Sequence, residues 1–218
     1  MICYRLPEKT EALLFDIDNT LYRNDAYCRL QVELLVERFA LKKNISVEQA
    51  RVLLSREKDR IREATGGNTS TGNLMSGLGI SIRESAYWRD ELFRPEDHLS
   101  YDRHLIKTIA DLSDSYRLAA VTNNTVTVGR RTLAVLGVDG LFRTIVGLDT
   151  CFVSKPAKEP YEKAIELLSV SAERTISFGD RYEVDIAVPL AMGMGGCLIE
   201  TMQDIYQLPV LLSAAATL

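Results

Sequence analysis

The stretch EALLFDIDNTLY, residues 11–22, decides the fold of this chain. Its apolar run, residues 12–15, leads directly into Asp16, which is typical of a buried parallel strand that ends in a polar group. In open α/β sheets, ligands bind just outside such carboxyl ends. Asp16 and Asp18 flank a single residue, and two carboxylates that close repel each other unless a cation or a proton lies between them. The pair indicates a magnesium site, a nucleophile with a partner acid, or both. The alternative is an Asp/Asn-rich turn without chemistry.

The composition is that of an ordinary globular protein. The chain has 218 residues, 46 % apolar and 26 % charged, which is enough for one core with a smaller insertion. The formal net charge is −4 and there is no basic block, so nothing favours nucleic acid or an anionic membrane as a partner. The N-terminus lacks the apolar core of a signal peptide, and no apolar run is long enough to span a bilayer. Four scattered cysteines show no metal-ligand spacing, which predicts reduced thiols and a cytoplasmic location.

The hydrophobic pattern changes once along the chain. From residue 22 to about residue 95 it is helical, with a Gly-, Thr- and Asn-rich stretch at 65–73 that is typical of a surface loop. Beyond residue 100 helices alternate with strands, which are predicted at 117–121, 142–146, 175–178 and 197–199. Repeated β-α-β units predict an α/β fold with a Rossmann-like, doubly wound parallel sheet and helices on both faces.

The long gap between the first and second predicted strands indicates an inserted domain. The first strand ends before Asp16, and the alternation resumes only near residue 100, which leaves a helical block of roughly seventy residues. We therefore predict an α/β core from residues 1–23 and 96–218. An all-helical cap from residues 24–95 would be inserted directly after the first strand.

Polar groups follow several of the predicted strands. They are Asp16 with Asp18, Thr122 with Asn123, Lys155 in a loop, and Asp180 with Asp185. In a doubly wound sheet these strand ends converge on one edge. Carboxylates, a hydroxyl, an amide and an ammonium together suit phosphoryl transfer, which mostly requires positioning and charge neutralisation.

These residues carry four motifs of the haloacid dehalogenase (HAD) superfamily of phosphohydrolases, which the sequence resembles from residue 13 to about residue 200. The family's D-x-D-x-T after an apolar strand is DIDNT here, and its strand ending in Thr or Ser is LAAVTNN with Thr122. Its Lys commonly followed by Pro is SKP with Lys155, and its G-D with a second acid downstream is FGDRYEVD with Asp180 and Asp185. All four occur in the family's order and spacing.

The resemblance implies hydrolysis of a phosphomonoester through an aspartyl-phosphate. Asp16 would attack phosphorus, while Asp18 would protonate the leaving oxygen and later deprotonate the attacking water. The Thr122 hydroxyl and the Asn123 amide N–H would hold phosphate oxygens, and Lys155 would offset charge between the phosphate and Asp16.

The implied cofactor is Mg²⁺, a hard cation that prefers oxygen ligands. Its ligands would be the Asp16 carboxylate, the backbone carbonyl of Asp18 and the Asp180 carboxylate. Two departures from the family pattern bear on the site. Val184 stands where an Asn is common, so Asp185 is expected to act behind the ligands or through water. The lysine loop is KPAKEPY, which makes Lys158 a minor rival to Lys155.

Asp18 also distinguishes phosphatases from dehalogenases within the superfamily that the sequence resembles. Dehalogenases of the superfamily lack an acid at this position, so its presence favours phosphate chemistry. The alternatives are a sugar-phosphate phosphatase or a phosphomutase of the same fold, although no cap motif argues for a mutase. A non-catalytic binding protein of this fold is a further alternative, which the intact catalytic positions disfavour.

The cap supplies the clue to substrate. An insertion after the first strand is the arrangement called a C1 cap, and FDIDNTLY with GGNTSTGNLMSGLGI resembles the pyrimidine 5′-nucleotidase-like branch. Thr69 and Asn73 would then hydrogen-bond the substrate, with a simple helix connection as the alternative. We expect a small phosphorylated substrate, foremost a nucleoside 5′-monophosphate. The protein would be a monomer or homodimer without nucleic-acid or membrane partners.

Overall fold

A computed structural model of the protein describes residues 1–67 and 69–215. Within these residues one sheet contains six strands: β1 (Ile2–Arg5), β2 (Ala12–Phe15), β3 (Arg117–Val121), β4 (Thr144–Val146), β5 (Thr175–Gly179) and β6 (Gly195–Leu198). Their order is β1-β6-β5-β2-β3-β4, and every neighbouring pair is parallel except β1 with β6. The predicted Rossmann-like sheet is confirmed. The antiparallel edge strand β1 is an addition that the sequence analysis did not predict.

Helices cover both faces of the sheet and form a separate block after β2. That block holds α1 (Asp25–Lys43), α2 (Val47–Thr65), α3 (Thr71–Gly77) and α4 (Ile82–Leu92). The remaining α-helices of the described residues are α5 (Arg103–Ser113), α6 (Val126–Leu136), α7 (Leu148–Cys151), α8 (Glu159–Leu168), α9 (Ala187–Ala191), α10 (Met202–Tyr206) and α11 (Leu208–Ala215). A π-helical turn, Tyr182–Ile186, precedes α9. In the described part of the chain, no helix combines the length and the apolar character that crossing a membrane requires.

Strand β2 lies at the centre of the sheet, which explains its continuous apolar run. All four of its residues are buried, and it pairs in parallel with β3 on one side and β5 on the other. Phe15 stacks on Phe178 of β5 with ring centroids 5.0 Å apart. A strand that is buried on both faces needs apolar side chains at every position. The chain that follows β2 therefore emerges at the middle of the sheet's carboxyl edge.

The helices α1–α4 lie inside the stretch predicted as a cap, and none of their described residues joins the sheet. They enclose a hydrophobic cluster of their own that includes Phe39, Met75, Trp88 and Phe93. Val128 of α6 packs against the same cluster, so this block rests on the α/β core. The fold as a whole is thus an α/β core with a helical cap.

Two of the four cysteines are joined. Cys3 of β1 and Cys197 of β6 form a disulfide, with 4.0 Å between their Cα atoms, whereas Cys28 and Cys151 are free. The expectation of reduced thiols is wrong for this pair. The antiparallel pairing of β1 with β6 places the two residues, 194 positions apart in sequence, directly opposite each other.

Candidate active site

Asp16 lies at the carboxyl end of β2, between the ends of β3 and β5. It is buried, and its backbone N–H donates to the carbonyl of Phe178 at 2.9 Å, which extends the strand pairing by one residue. Asn19 then adopts a left-handed conformation with φ 58°, which asparagine tolerates better than most residues. This turn returns the chain so that the Thr20 hydroxyl donates to Asp16 Oδ2 at 3.2 Å. The sequence DIDNT thus fixes the orientation of the Asp16 carboxylate.

Lys155 is the cationic centre of the site and is only 1 % exposed. Its ammonium donates to Asp16 Oδ1 at 2.6 Å, to Asp185 Oδ1 at 2.7 Å and to the Val121 carbonyl at 2.7 Å. Burial opposes the charge, but the two carboxylates outweigh it and raise the pKa of Lys155. Lys158 instead lies at the surface in an ion pair along α8, so of the two rivals Lys155 is the lysine beside Asp16.

Three carboxylates meet beside this lysine. Oxygen atoms of Asp16, Asp180 and Asp185 lie within 4.8 Å of one another. Burial raises the pKa of Asp16 to about 7; Lys155 opposes this shift and the neighbouring carboxylates add to it. One buried Asp180 oxygen, Oδ1, lies 3.6 Å from Arg181 Nε and has no hydrogen-bond partner among the described residues. A hard divalent cation would both separate these acids and satisfy that oxygen, so the residues present fit magnesium.

Asp185 stands closer to this group than the sequence analysis expected. Its Oδ1 bonds Lys155, and its Oδ2 accepts the Arg181 backbone N–H at 3.1 Å. Its side chain packs on Gly179, where an added Cβ would overlap Asp185 Cβ and lie 2.7 Å from Cγ. The glycine before Asp180 is therefore required by the close approach of Asp185. Because both Asp185 oxygens already have partners, its geometry suits holding Lys155 at least as well as binding a metal.

The Asp18 carboxylate contacts both the core and the cap. It accepts hydrogen bonds from Tyr22 Oη at 2.6 Å, Asn124 Nδ2 at 2.9 Å and Gln31 Nε2 at 3.2 Å. Gln31 belongs to α1, so this acid is held jointly by the core and the cap. These three partners were not predicted from the sequence, and only Tyr22, four residues after Asp18, had a local signal.

Thr122 and Asn123 occupy the turn between β3 and α6. The Thr122 hydroxyl accepts the Asn124 backbone N–H at 3.0 Å. The Asn123 side chain donates to the Lys155 carbonyl at 3.2 Å and accepts from the Lys155 N–H at 2.8 Å. The side chain of Asn123 thus fixes the lysine loop against β3, a role that its position in the sequence did not reveal.

Thr69 and Asn73, the cap residues predicted to contact substrate, bond to each other. Asn73 Nδ2 donates to Thr69 Oγ1 at 3.0 Å. Asn68, in the same stretch, lies outside the described residues. The neighbouring Ser70 reaches the core instead, since its hydroxyl accepts from Ser154 Oγ at 2.7 Å. This bond links the cap to the loop that carries Lys155.

A cavity of about 220 Å³ lies between the cap and the carboxyl edge of the sheet. Its described wall includes the core residues Asp18, Asn19, Asn123, Asn124, Asp180 and Arg181 and the cap residues Cys28, Gln31, Val32, Leu35, Ser70, Thr71, Arg89 and Phe93. Arg89 is buried yet charged and was not singled out in the sequence analysis. Its signal is spacing alone, because it follows Ser85 by one turn on the buried face of α4.

The chain is similar in sequence to known hydrolases and phosphatases. A family model described as haloacid dehalogenase-like hydrolase matches residues 13–199. Pyrophosphatase PpaX of Listeria monocytogenes is 25 % identical over 189 residues, which cover 80 % of this chain and 76 % of that protein. A plasmid-borne phosphoglycolate phosphatase of Cupriavidus necator is 36 % identical over 84 residues, or 38 % of this chain and 36 % of that protein.

Solved structures share the fold over nearly the whole chain. A HAD phosphatase from Thermococcus onnurineus has a TM-score of 0.58 at 20 % identity, with 93 % of this chain and 98 % of that chain covered. The HAD-hydrolase YfnB of Bacillus subtilis, bound to magnesium, has a TM-score of 0.58 at 19 % identity, with 93 % and 99 % covered.

Proposed function

The chain belongs to the haloacid dehalogenase-like hydrolases, and from that premise we propose that it is a magnesium-dependent hydrolase of small phosphomonoesters. Family membership and the phosphatase relatives make it an enzyme of phosphatase type. The observation that carries the proposal is the buried contact of 2.6 Å between Asp16 Oδ1 and the Lys155 ammonium, beside two further carboxylates.

Asp16 and Asp180, with the backbone carbonyl of Asp18, would hold the magnesium ion. The buried Oδ1 of Asp180 supports this, because within the described residues it has an ion-pair contact with Arg181 at 3.6 Å but no hydrogen bond. The Bacillus neighbour of the same fold is bound to magnesium. When bound, the ion offsets the charge of the phosphoryl oxygens and fixes their orientation.

Asp16 is the nucleophile of the proposed first step. Lys155 favours its ionised form, and Thr20 and Lys155 together fix the two carboxylate oxygens. One oxygen attacks phosphorus as the bond to the leaving oxygen breaks, which leaves an acyl phosphate on Asp16. Asp18 donates a proton to the leaving oxygen, and for this it must exchange one of its three present donors for the substrate.

Water completes the second step. Asp18, now ionised, removes a proton from a water molecule that attacks phosphorus, and the bond between phosphorus and Asp16 breaks. Free phosphate leaves and Asp16 is regenerated. The fixed position of Lys155, held by Val121 and Asn123 as well as by carboxylates, keeps positive charge beside phosphate through both steps.

The cavity supports a small organic group beyond the phosphate. Its volume of about 220 Å³ lies below the roughly 300–1,000 Å³ of sites for drug-sized ligands. The preference for a nucleoside 5′-monophosphate therefore stays a prediction, as does the role of Thr69 and Asn73, whose side chains bond each other. A sugar-phosphate phosphatase is the competing assignment, and small acids and sugars match this volume more closely.

A substrate panel with and without magnesium tests the proposal. We expect phosphate release from p-nitrophenyl phosphate and from small phosphomonoesters, and none after the metal is removed with EDTA. Under the nucleotide prediction, kcat/KM for UMP or CMP exceeds that for ribose 5-phosphate at least about tenfold, or about 1.4 kcal/mol. Halide release from a 2-haloacid without any phosphate release would reject the phosphatase assignment itself.

A further inference from the structure

Arg89 places a buried cation in the cap wall of the cavity. Arg89 is 4 % exposed, and it lines the same cavity as Asp18 and Ser70. Its Nη1 donates to the Ser85 carbonyl at 2.9 Å and to the Ser85 hydroxyl. Ser85 is the one acceptor of Arg89 within the described residues, although a guanidinium carries five N–H donors. Donors of this side chain therefore remain for a ligand.

The acids nearest to Arg89 in sequence are engaged elsewhere. Glu84 and Glu91 of α4 form ion pairs with side chains of α1, at 2.8 Å and 3.0 Å. Asp90 accepts a hydrogen bond from the Thr125 hydroxyl of the core. No ion pair in the described part of the chain includes Arg89. The helix thus satisfies its negative charges. Of its two arginines, Arg83 lies over the ring of Phe152, whereas Arg89 is the buried one and has no ion-pair partner within the described residues.

Arg89 keeps its charge at neutral pH. Burial lowers the pKa of Arg89 to about 10, and the charge of Asp18 opposes this shift. Asp18 is itself satisfied by three other donors, so it does not serve as a paired partner. A buried charge without a counter-ion is costly, and an anion that enters the cavity would relieve this cost.

The Arg89 guanidinium and the Ser70 hydroxyl both belong to the cavity wall and lie beside the Gly72 backbone. A Cβ added to Gly72 would lie 3.6 Å from both Arg89 Nη2 and Ser70 Oγ, so the bare Gly72 backbone adjoins the two polar groups. A planar guanidinium binds carboxylate or phosphate oxygens through two parallel hydrogen bonds. Val32, Leu35 and Phe93 line the same cavity and provide apolar contact for a short carbon chain.

We propose that Arg89 forms a second anion subsite and that the preferred substrate is a small phosphomonoester with another anionic group, either a carboxylate or a second phosphate. The phosphate that reacts would lie at Asp16, and the second anion would lie at Arg89. This inference rests on the proposed phosphatase function and extends it to a substrate class.

Matched substrates and two arginine variants test the subsite. The substrates are 2-phosphoglycolate with a carboxylate, ethylene glycol bisphosphate with a second phosphate, and ethyl phosphate with neither. For the wild-type protein we expect kcat/KM on at least one dianionic substrate to exceed that on ethyl phosphate at least about thirtyfold. Arg89→Met should bring this ratio close to one, and Arg89→Lys should give an intermediate ratio, because lysine keeps the charge without the planar fork.

Arg56→Met is the control, because it removes the same charge from an exposed position of the cap outside the cavity. It should leave the ratio at its wild-type value. An equal loss on all substrates in Arg89→Met, with the ratio unchanged, would overturn the subsite and leave the phosphatase assignment intact. A wild-type protein that is folded but inactive on every phosphoester would reject the proposed function, and the subsite with it.

Inhibition of the wild-type protein gives a test that needs no variant to fold. Phosphonoacetate carries a phosphonate and a carboxylate, whereas ethylphosphonate lacks the carboxylate. Phosphonoacetate should inhibit ethyl phosphate hydrolysis at a concentration at least about tenfold lower, since charge-assisted hydrogen bonds are among the stronger polar contacts. The same comparison with a bisphosphonate of similar length identifies the preferred second anion. Equal inhibition by all three compounds would contradict the subsite.

Discussion

The carboxyl edge of the sheet and the cap wall opposite it hold charge in different ways. At the edge, the Lys155 ammonium contacts Asp16 and Asp185, so the central cation faces carboxylates. On the cap wall, Arg89 is also buried but forms no ion pair in the described part of the chain. The edge is arranged for one reaction whatever the substrate, because its groups hold each other in place. Under the proposed subsite, an anionic ligand would supply the missing partner of Arg89, and substrate selectivity would follow from this difference.

The largest effect on activity is expected from removal of the nucleophile at the sheet edge. Asp16→Asn keeps the size of the side chain but removes the nucleophile, and kcat on p-nitrophenyl phosphate should fall at least about 10⁴-fold. Circular dichroism would establish that the variant is folded. Turnover near the wild-type rate in a folded Asp16→Asn protein would place the chemistry elsewhere.

The second-largest effect is expected from the loss of a proposed metal ligand. Asp180→Asn replaces a carboxylate whose buried Oδ1 has no hydrogen bond within the described residues, so the magnesium concentration for half-maximal activity should rise at least about tenfold. At one hundred times its dissociation constant, magnesium should also stabilise the wild-type protein by about 2.7 kcal/mol, visible as a higher Tm. An unchanged magnesium requirement in Asp180→Asn would remove this residue from the metal site.

Gly179→Ala tests the packing beneath the edge. The new Cβ would overlap the Asp185 side chain, and we expect the free energy of unfolding to fall by about 1–3 kcal/mol. Urea denaturation measures this, with Gly140→Ala as the control, because a Cβ there meets nothing within 4 Å. Equal stability of the two variants would show that Asp185 moves aside at little cost.

The smallest effect concerns the bond that joins the two regions. Ser154→Ala removes the 2.7 Å hydrogen bond to Ser70 of the cap, so the free energy of unfolding should fall by about 1 kcal/mol and kcat/KM by about fivefold. Ser76→Ala, at an exposed position of α3, is the matched control. If both variants keep wild-type kinetics, this bond does not couple the cap to the lysine loop.

The same contrast decides how much could be predicted from the sequence. The sheet edge could be predicted from the sequence because several strands are short apolar runs followed by a polar residue, such as residues 12–15 before Asp16. Strand β1 was missed because it is a four-residue edge strand with little burial. The disulfide was missed because it depends on the pairing of β1 with β6, which no local spacing encodes.

The cap residues that line the cavity could be predicted from the sequence only in part. The stretch 69–73 was singled out for its polar side chains, but Ser70 and Thr71 rather than Thr69 and Asn73 line the cavity. Arg89 was passed over because an arginine beside an aspartate in a charged helix usually faces solvent. Its burial depends on how α4 packs against the core, which is a tertiary contact without a local signal.

Trapping the covalent intermediate tests the central claim most directly. The wild-type protein would be mixed with magnesium and a phosphoester, quenched in acid within one turnover, and digested for mass spectrometry. We expect one added phosphoryl group on the peptide that contains Asp16. It should be absent in Asp16→Asn and should be lost on further incubation with water before the quench. A phosphoryl group on another residue, or rapid hydrolysis with no phosphorylated Asp16 at any quench time, would contradict it.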